Sequence, residues 1–230
     1  TSQGGAITYW SDSDSTTVAG GGVKIAAAAS INSNNAAIVI SGGFSNMSTA
    51  GFAKGTEATS HRGVYLMGSV TSGTGNIIIR GEDSASYFAT TYGGGVIVEK
   101  SSAIEATTGN ITIHGQTSSG NSDVTQWHDA VILGHIGTGT TSIKTTTGAI
   151  TITGDSSNNN SANRYAFGTF TTNISSTSGP ITNKANSSAT NDNSLYFDGT
   201  DINSGTGALA LVGGSSGAPD YFYNSRLTSN

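Results

Sequence analysis

The chain has 230 residues with 33 Gly, 2 Pro, no Cys and a net charge of −5, and only 10% of its residues are charged. An acidic balance without a basic cluster speaks against electrostatic nucleic-acid binding, and no apolar run approaches the ~20 residues of a membrane helix. Glycine without a three-residue period excludes collagen, regularly placed β-branched residues argue against disorder, and the lack of Cys removes disulfides, thiol catalysis and Cys-based zinc sites.

Three short strand patterns recur along the chain. The first reads VKI (23–25), VYL (64–66), VIV (96–98), VIL (131–133), a degenerate AFGTF (166–170) and LYF (195–197). The second is centred on Ile31, Val70, Ile104, Ile143, Ile174 and Ile202. The third opens in QGGAITYWS (3–11) and returns in SNNAAIVIS (33–41), GTGNIIIRG (73–81), TTGNITIHG (107–115), TTGAITITG (146–154), TSGPITNKA (177–185) and GTGALALVG (205–213). Each third pattern is a small polar turn followed by apolar–x–apolar, which is strand periodicity. Near the end, YFY (221–223) reads as a further first strand and RLT (226–228) as a further second strand.

One interval carries the fold assignment. Each second-pattern residue precedes the first apolar residue of the next third strand by seven positions, giving Ile38, Ile77, Ile111, Ile150, Ile181 and Leu209. Gly5, Gly75, Gly109, Gly148, Gly179 and Gly207 stand two residues before the first apolar position, with Ala36 as the exception. Between a third strand and the next first strand the chain is Ser-, Asn- and Gly-rich and variable in length. A constant interval is scaffold and a variable one is loop.

This pattern predicts a parallel β-helix over residues 1–230 as a single domain, with three strands per coil and about seven coils. Each strand pairs in register with its equivalent one coil away, about 4.8 Å along the axis. No coil can bury its own apolar face, so stacking makes the core. The expected coiling is right-handed. The glycines are expected at corners, where a positive φ costs them nothing. An antiparallel sandwich has no need of a recurring seven-residue interval.

Catalysis on a glycan would need two or three carboxylates at one phase of adjacent coils. The candidates are Glu82, Asp83 and Asp155, with Gln116 at the equivalent position between them. Arg80 and His114 share a phase, followed by Thr153. Glu99 and Glu105 flank one turn without partners in neighbouring repeats. The favoured reading is solvated charge that punctuates loops, with no catalytic residue. His61, His114, His128 and His135 read as loop or surface histidines rather than metal ligands. Trp10 and Trp127 are candidate sugar platforms, with loop anchoring favoured for them and for Tyr9, Tyr87, Phe88, Tyr92, Tyr165 and Phe167. Asp12 and Asp14 in the SDSDS run are a weak calcium candidate that lacks the Gly and distal Glu of an EF-hand; no other cofactor is expected. Outward third-strand positions run Thr8, Val39, Ile78, Thr112, Thr151, Thr182 and Ala210, too interrupted for an ice-binding Thr ladder.

GGAITYWSDSD (4–14), GFAKG (51–55), RGVYLMGSVTSGTGNIIIRGE (62–82) and AIEATTGNITIHGQTSSG (103–120) resemble the filamentous-haemagglutinin family of very large bacterial surface proteins. The resemblance implies secretion across the outer membrane, often by a two-partner route, and a fibrous passenger that adheres to cells or surfaces. The expected protein is a non-enzymatic, extracellular β-helical shaft or self-assembling filament. Its expected partner is itself, head to tail or as the next stretch of one long chain, with glycans or a cell surface as further possibilities and no membrane insertion. The alternative is a carbohydrate-active or glycan-binding β-helix.

Overall fold

The computed structural model describes residues 1, 3–11, 21–43, 51–55, 62–83, 93–117, 128–156, 165–187, 193–214 and 220–230. β1 (Ile7–Ser11) is a third-pattern strand. The first full coil follows as β2 (Val23–Ile25), β3 (Ser30–Asn32) and β4 (Ile38–Gly42), with a short extra strand β5 (Ala53–Lys54). The second coil is β6 (Arg62–Leu66), β7 (Ser69–Ser72) and β8 (Ile77–Glu82). The third is β9 (Gly93–Val98), β10 (Ala103–Ala106) and β11 (Ile111–Gln116), and the fourth is β12 (His128–Leu133), β13 (Thr141–Thr145) and β14 (Ile150–Asp155). β15 (Tyr165–Phe170), β16 (Thr172–Ser176) and β17 (Ile181–Asn186) make the fifth; β18 (Asn193–Asp198), β19 (Asp201–Asn203) and β20 (Leu209–Val212) make the sixth. β21 (Tyr221–Tyr223) and β22 (Arg226–Thr228) come last.

These strands form three parallel sheets: β2-β6-β9-β12-β15-β18-β21, β3-β7-β10-β13-β16-β19-β22 and β1-β4-β8-β11-β14-β17-β20, with β5 joined to β8. The molecule is a three-strand-per-coil parallel β-helix. The register follows the sequence columns. Ile31, Val70, Ile104, Ile143, Ile174 and Ile202 pair successively, as do Ile38, Ile77, Ile111, Ile150, Ile181 and Leu209. All but the partly buried Leu209 lie in the core. Alternation along each strand turns these side chains inward, so every coil closes on apolar surface from the coils beside it.

Two sequence expectations need correction. AFGTF is not degenerate: Phe167 pairs with both Val131 and Leu195 and is fully buried, so it belongs to the inner column rather than to a loop anchor. The corner glycines are also explained differently. Positive φ occurs at other glycines, for example Gly134 at 76°. At the corners the cause is close approach. A Cβ on Gly109 would lie 1.9 Å from the Gly75 carbonyl oxygen; on Gly148, 2.1 Å from that of Gly109; on Gly179, 1.8 Å from that of Gly148; and on Gly207, 2.3 Å from that of Gly179. Each glycine makes room for the carbonyl of the glycine one coil earlier. Ala36 sits in the first coil, against the exposed turn that holds Gly5.

Buried hydroxyls complete the corners. Two residues after the inner Ile column stand Ser33, Ser72, Ala106, Thr145, Ser176 and Ser204. Thr145 Oγ1 accepts from the Gly148 N–H at 3.2 Å, and Ser176 Oγ accepts from the Gly179 N–H at 2.8 Å. Ser204 Oγ donates to the Gly207 carbonyl at 2.7 Å. Two residues before the column, buried Ser102, Thr141 and Thr172 donate to the carbonyls of Leu66, Glu99 and Leu133 in the preceding coil. A turn at a buried corner leaves backbone groups that need partners, and the hydroxyls supply them.

Candidate functional site

Among the described residues, the outer face of the third-strand sheet carries ordered columns of polar and charged side chains. Outward positions stack in register as Ile78, Thr112, Thr151 and Thr182; as Arg80, His114, Thr153 and Lys184; and as Glu82, Gln116, Asp155 and Asn186. This brings Glu82 to Gln116, whose Nε2 donates to Glu82 Oε2 at 2.7 Å. Lys54 of β5 pairs with Glu82 at 2.7 Å. Phe52, just before β5, has the Arg80 guanidinium 4.3 Å from its ring centroid and the His114 ring edge-on at 4.8 Å. His114 Nε2 is buried without a hydrogen bond. Burial holds this imidazole below its ordinary pKa, and the nearby Arg80 and Lys184 charges add to that while Asp155 opposes it.

The acid–base test turns on geometry. Asp83 is fully buried at the corner in line with Thr117, Ser156 and Ser187, and so is removed from the outer face. Glu82 and Asp155 are two layers apart, about 9–10 Å along the axis, with Gln116 between them. A retaining carboxylate pair stands ~5–5.5 Å apart and an inverting pair ~6.5–9.5 Å, so the spacing excludes a retaining pair and lies at the upper limit of an inverting one. Glu82 is already engaged by a lysine and an amide.

A second cluster lies on the first-strand sheet. Glu99 is 6% exposed. It accepts the Tyr65 hydroxyl from the preceding coil and, at 2.8 Å, the Ile136 N–H from the following one. The Arg62 guanidinium lies 3.8 Å from the Tyr65 ring centroid. Burial, then the hydrogen bond to Glu99, raises the Tyr65 pKa. Burial lowers that of His135, whose ring meets Phe170 edge-on at 5.9 Å. Glu105 accepts the Ser142 hydroxyl at 3.2 Å. Both glutamates therefore have partners in neighbouring coils, contrary to the sequence reading. They fasten one coil to the next.

The same sheet carries an aromatic stack. Tyr165 and Tyr196 have ring centroids 4.5 Å apart, Phe170 and Tyr196 5.4 Å, and Tyr196 and Tyr221 6.3 Å. The Tyr165 ring lies over Gly168, where a Cβ would come within 3.0 Å of it. The rings meet at tilted angles, and Tyr221 at the end of the stack is 49% exposed. Trp10 is half-buried in β1. Trp127, Tyr87, Phe88, Tyr92, His61, Asp12, Asp14 and the side chain of His128 lie outside the described residues.

A polar groove of about 370 Å³ runs along the corner between the second- and third-strand sheets, lined by Lys144, Ser175, Thr177, Asn203 and Thr206 among others. Among the described residues no group of three His, Asp or Glu is placed to hold a metal ion, and no helix is long and apolar enough to cross a membrane. In comparisons with protein-family models, with curated proteins and with solved structures, nothing matches this chain.

Two features escaped the sequence reading. The hydroxyl columns were signalled by Ser or Thr at a fixed offset from the Ile column. β5 was signalled by Phe-Ala-Lys, whose outer residues cover Arg80 and reach Glu82.

Proposed function

We propose that this protein is a non-enzymatic β-helical shaft, a secreted bacterial surface or extracellular fibre segment of the filamentous-haemagglutinin kind. The observation that carries this reading is the continuity of the ladders: three sheets run in register through every coil, and the inner columns run with them. Such an element resists bending because deformation must break many backbone bonds and apolar contacts together. The polar clusters support the reading, since Glu82, Glu99 and Glu105 spend their oxygens on neighbouring coils. A shaft needs no cofactor and no open reaction centre. Its strand edges take the next coil of the same fibre, from the continuing chain or from a second copy.

Fibre diffraction and electron microscopy of the native material test this. The expected result is a thin fibre with a ~4.8 Å repeat along its long axis. Globular particles without that axial repeat would reject the shaft. The corner groove favours glycan binding as a second reading, because it offers hydroxyls, an amide and one ammonium. On that reading a glycan array gives a ligand whose binding Lys144→Ala removes. Turnover of a glycan lost in Glu82→Gln or Asp155→Asn would replace both readings with an enzyme.

A further inference from the structure

One coil breaks the apolar column from the inside. The inward third-strand positions read Ile40, Ile79, Ile113, Ile152, Asn183 and Leu211 in register. The inward first-strand positions read Ile25, Leu66, Val98, Leu133, Thr169 and Phe197. Both polar replacements, Thr169 and Asn183, fall in the fifth coil, and both are fully buried. Thr169 is satisfied, its hydroxyl 2.7 Å from that of Thr200. Asn183 is not: neither its Oδ1 nor its Nδ2 has a hydrogen-bond partner.

A buried amide with both ends unused penalises the closed state and is relieved as soon as water reaches it. Water reaches Asn183 if β20 parts from β17, because Leu211 is the residue that stacks on it from that side. In the coils between β6 and β14 the equivalent inward positions are the apolar Ile79, Ile113 and Ile152, and the unbonded His114 Nε2 and Thr117 Oγ1 of those coils lie on the outer face and at the corner rather than in this column.

We infer that the fifth coil is a built-in release point: the rod opens between β17 and β20 at Asn183, and β18 to β22 detach as one cooperative unit. Opening bares the edges of β15, β16 and β17 together with their apolar column, which is a template for pairing with another strand. The molecule thus couples a stiff body to a segment that can be exchanged.

Hydrogen exchange of the whole protein under native conditions, read by mass spectrometry, tests this. Amides of β18 to β20 are expected to exchange together, about tenfold or more faster than those of β9 to β14. Asn183→Ile restores the residue type of the column and is expected to slow β18 to β20 about tenfold while leaving β9 to β11 unchanged. Asn183→Val serves as a smaller replacement should Ile be too large, and Thr153→Ile, outside the core, is expected to change nothing. Equal exchange across the coils would overturn the release point. So would β18 to β20 exchange that neither Asn183 variant slows.

Discussion

Two corners of each coil solve one problem differently. Between the second and third strands the turn keeps constant length, and backbone bonds tie each turn to the next: Thr146 N–H to Thr107 carbonyl at 2.9 Å, Thr177 to Thr146 at 3.0 Å and Thr206 to Thr177 at 3.0 Å. Between the third and first strands the ladder ends with Thr117 N–H to Asp155 carbonyl at 2.9 Å and Ser156 to Asn186 at 2.8 Å. Beyond these bonds the sequence length varies from coil to coil. Both corners use glycine for a carbonyl approach, but the second column, Gly81, Gly115 and Gly154, ends in a fully buried Ala185. The comparison teaches that a solenoid varies in length where no inter-coil bond fixes the chain, while both corners hold glycine against a neighbouring carbonyl and each admits one alanine, Ala36 at the tied corner and Ala185 at the other.

The sharpest way to break this contrast is Gly148→Val. Its side chain would enter the space of the Gly109 carbonyl, and loss of cooperative thermal unfolding is expected by circular dichroism. Gly154→Ala at the other corner would place a Cβ 1.8 Å from the Ala166 carbonyl oxygen, so the backbone must shift there too and a loss of about 3 kcal/mol is expected by denaturant titration. A Gly154→Ala variant as stable as the parent would show that the chain at this corner can move aside. Ile143→Ala, on the column leading into the tied corner, should cost about 2–5 kcal/mol by denaturant titration.

Thr145→Val tests the hydroxyl column. It leaves the Gly148 N–H without its acceptor, so a loss of about 1–3 kcal/mol is expected. Thr153→Val, on the outer face, should stay within about 0.5 kcal/mol.

The smallest effect is a pH dependence. Burial lowers the folded-state pKa of both His114 and His135. The unfolded chain then binds protons that the folded chain refuses, so stability is full above the ordinary histidine pKa of about 6.5 and declines as pH falls through it. The decline ends once pH passes below the folded values. His114→Gln combined with His135→Gln should flatten melting temperature against pH in that range.

The fold was legible because its determinant is a local interval repeated many times. A seven-residue spacing fixes both which residues face inward and how far the chain travels between sheets. The candidate site was legible only as residue types. Glu82, Gln116 and Asp155 were placed in phase correctly, but Lys54 reaches Glu82, and Phe52 reaches Arg80 and His114, from a segment that has no counterpart among the described residues. Glu99 looked like solvated charge, yet its partners Tyr65 and Ile136 come from the coil before and the coil after.

By itself the sequence determined periodicity: three strands per coil, parallel register, and the Ile, Val and Leu columns, because side-chain alternation and a constant turn leave one way to stack them. Tertiary structure alone decided what happens between coils. The corner glycines answer a carbonyl one coil away, the hydroxyls of Ser102, Thr141 and Thr172 answer carbonyls of the preceding coil, and Phe167 turns inward with its column. Asn183 is left buried without a partner. Each of these depends on atoms about 30 to 40 residues away in sequence and one ~4.8 Å layer away in space, a distance that a local pattern does not encode.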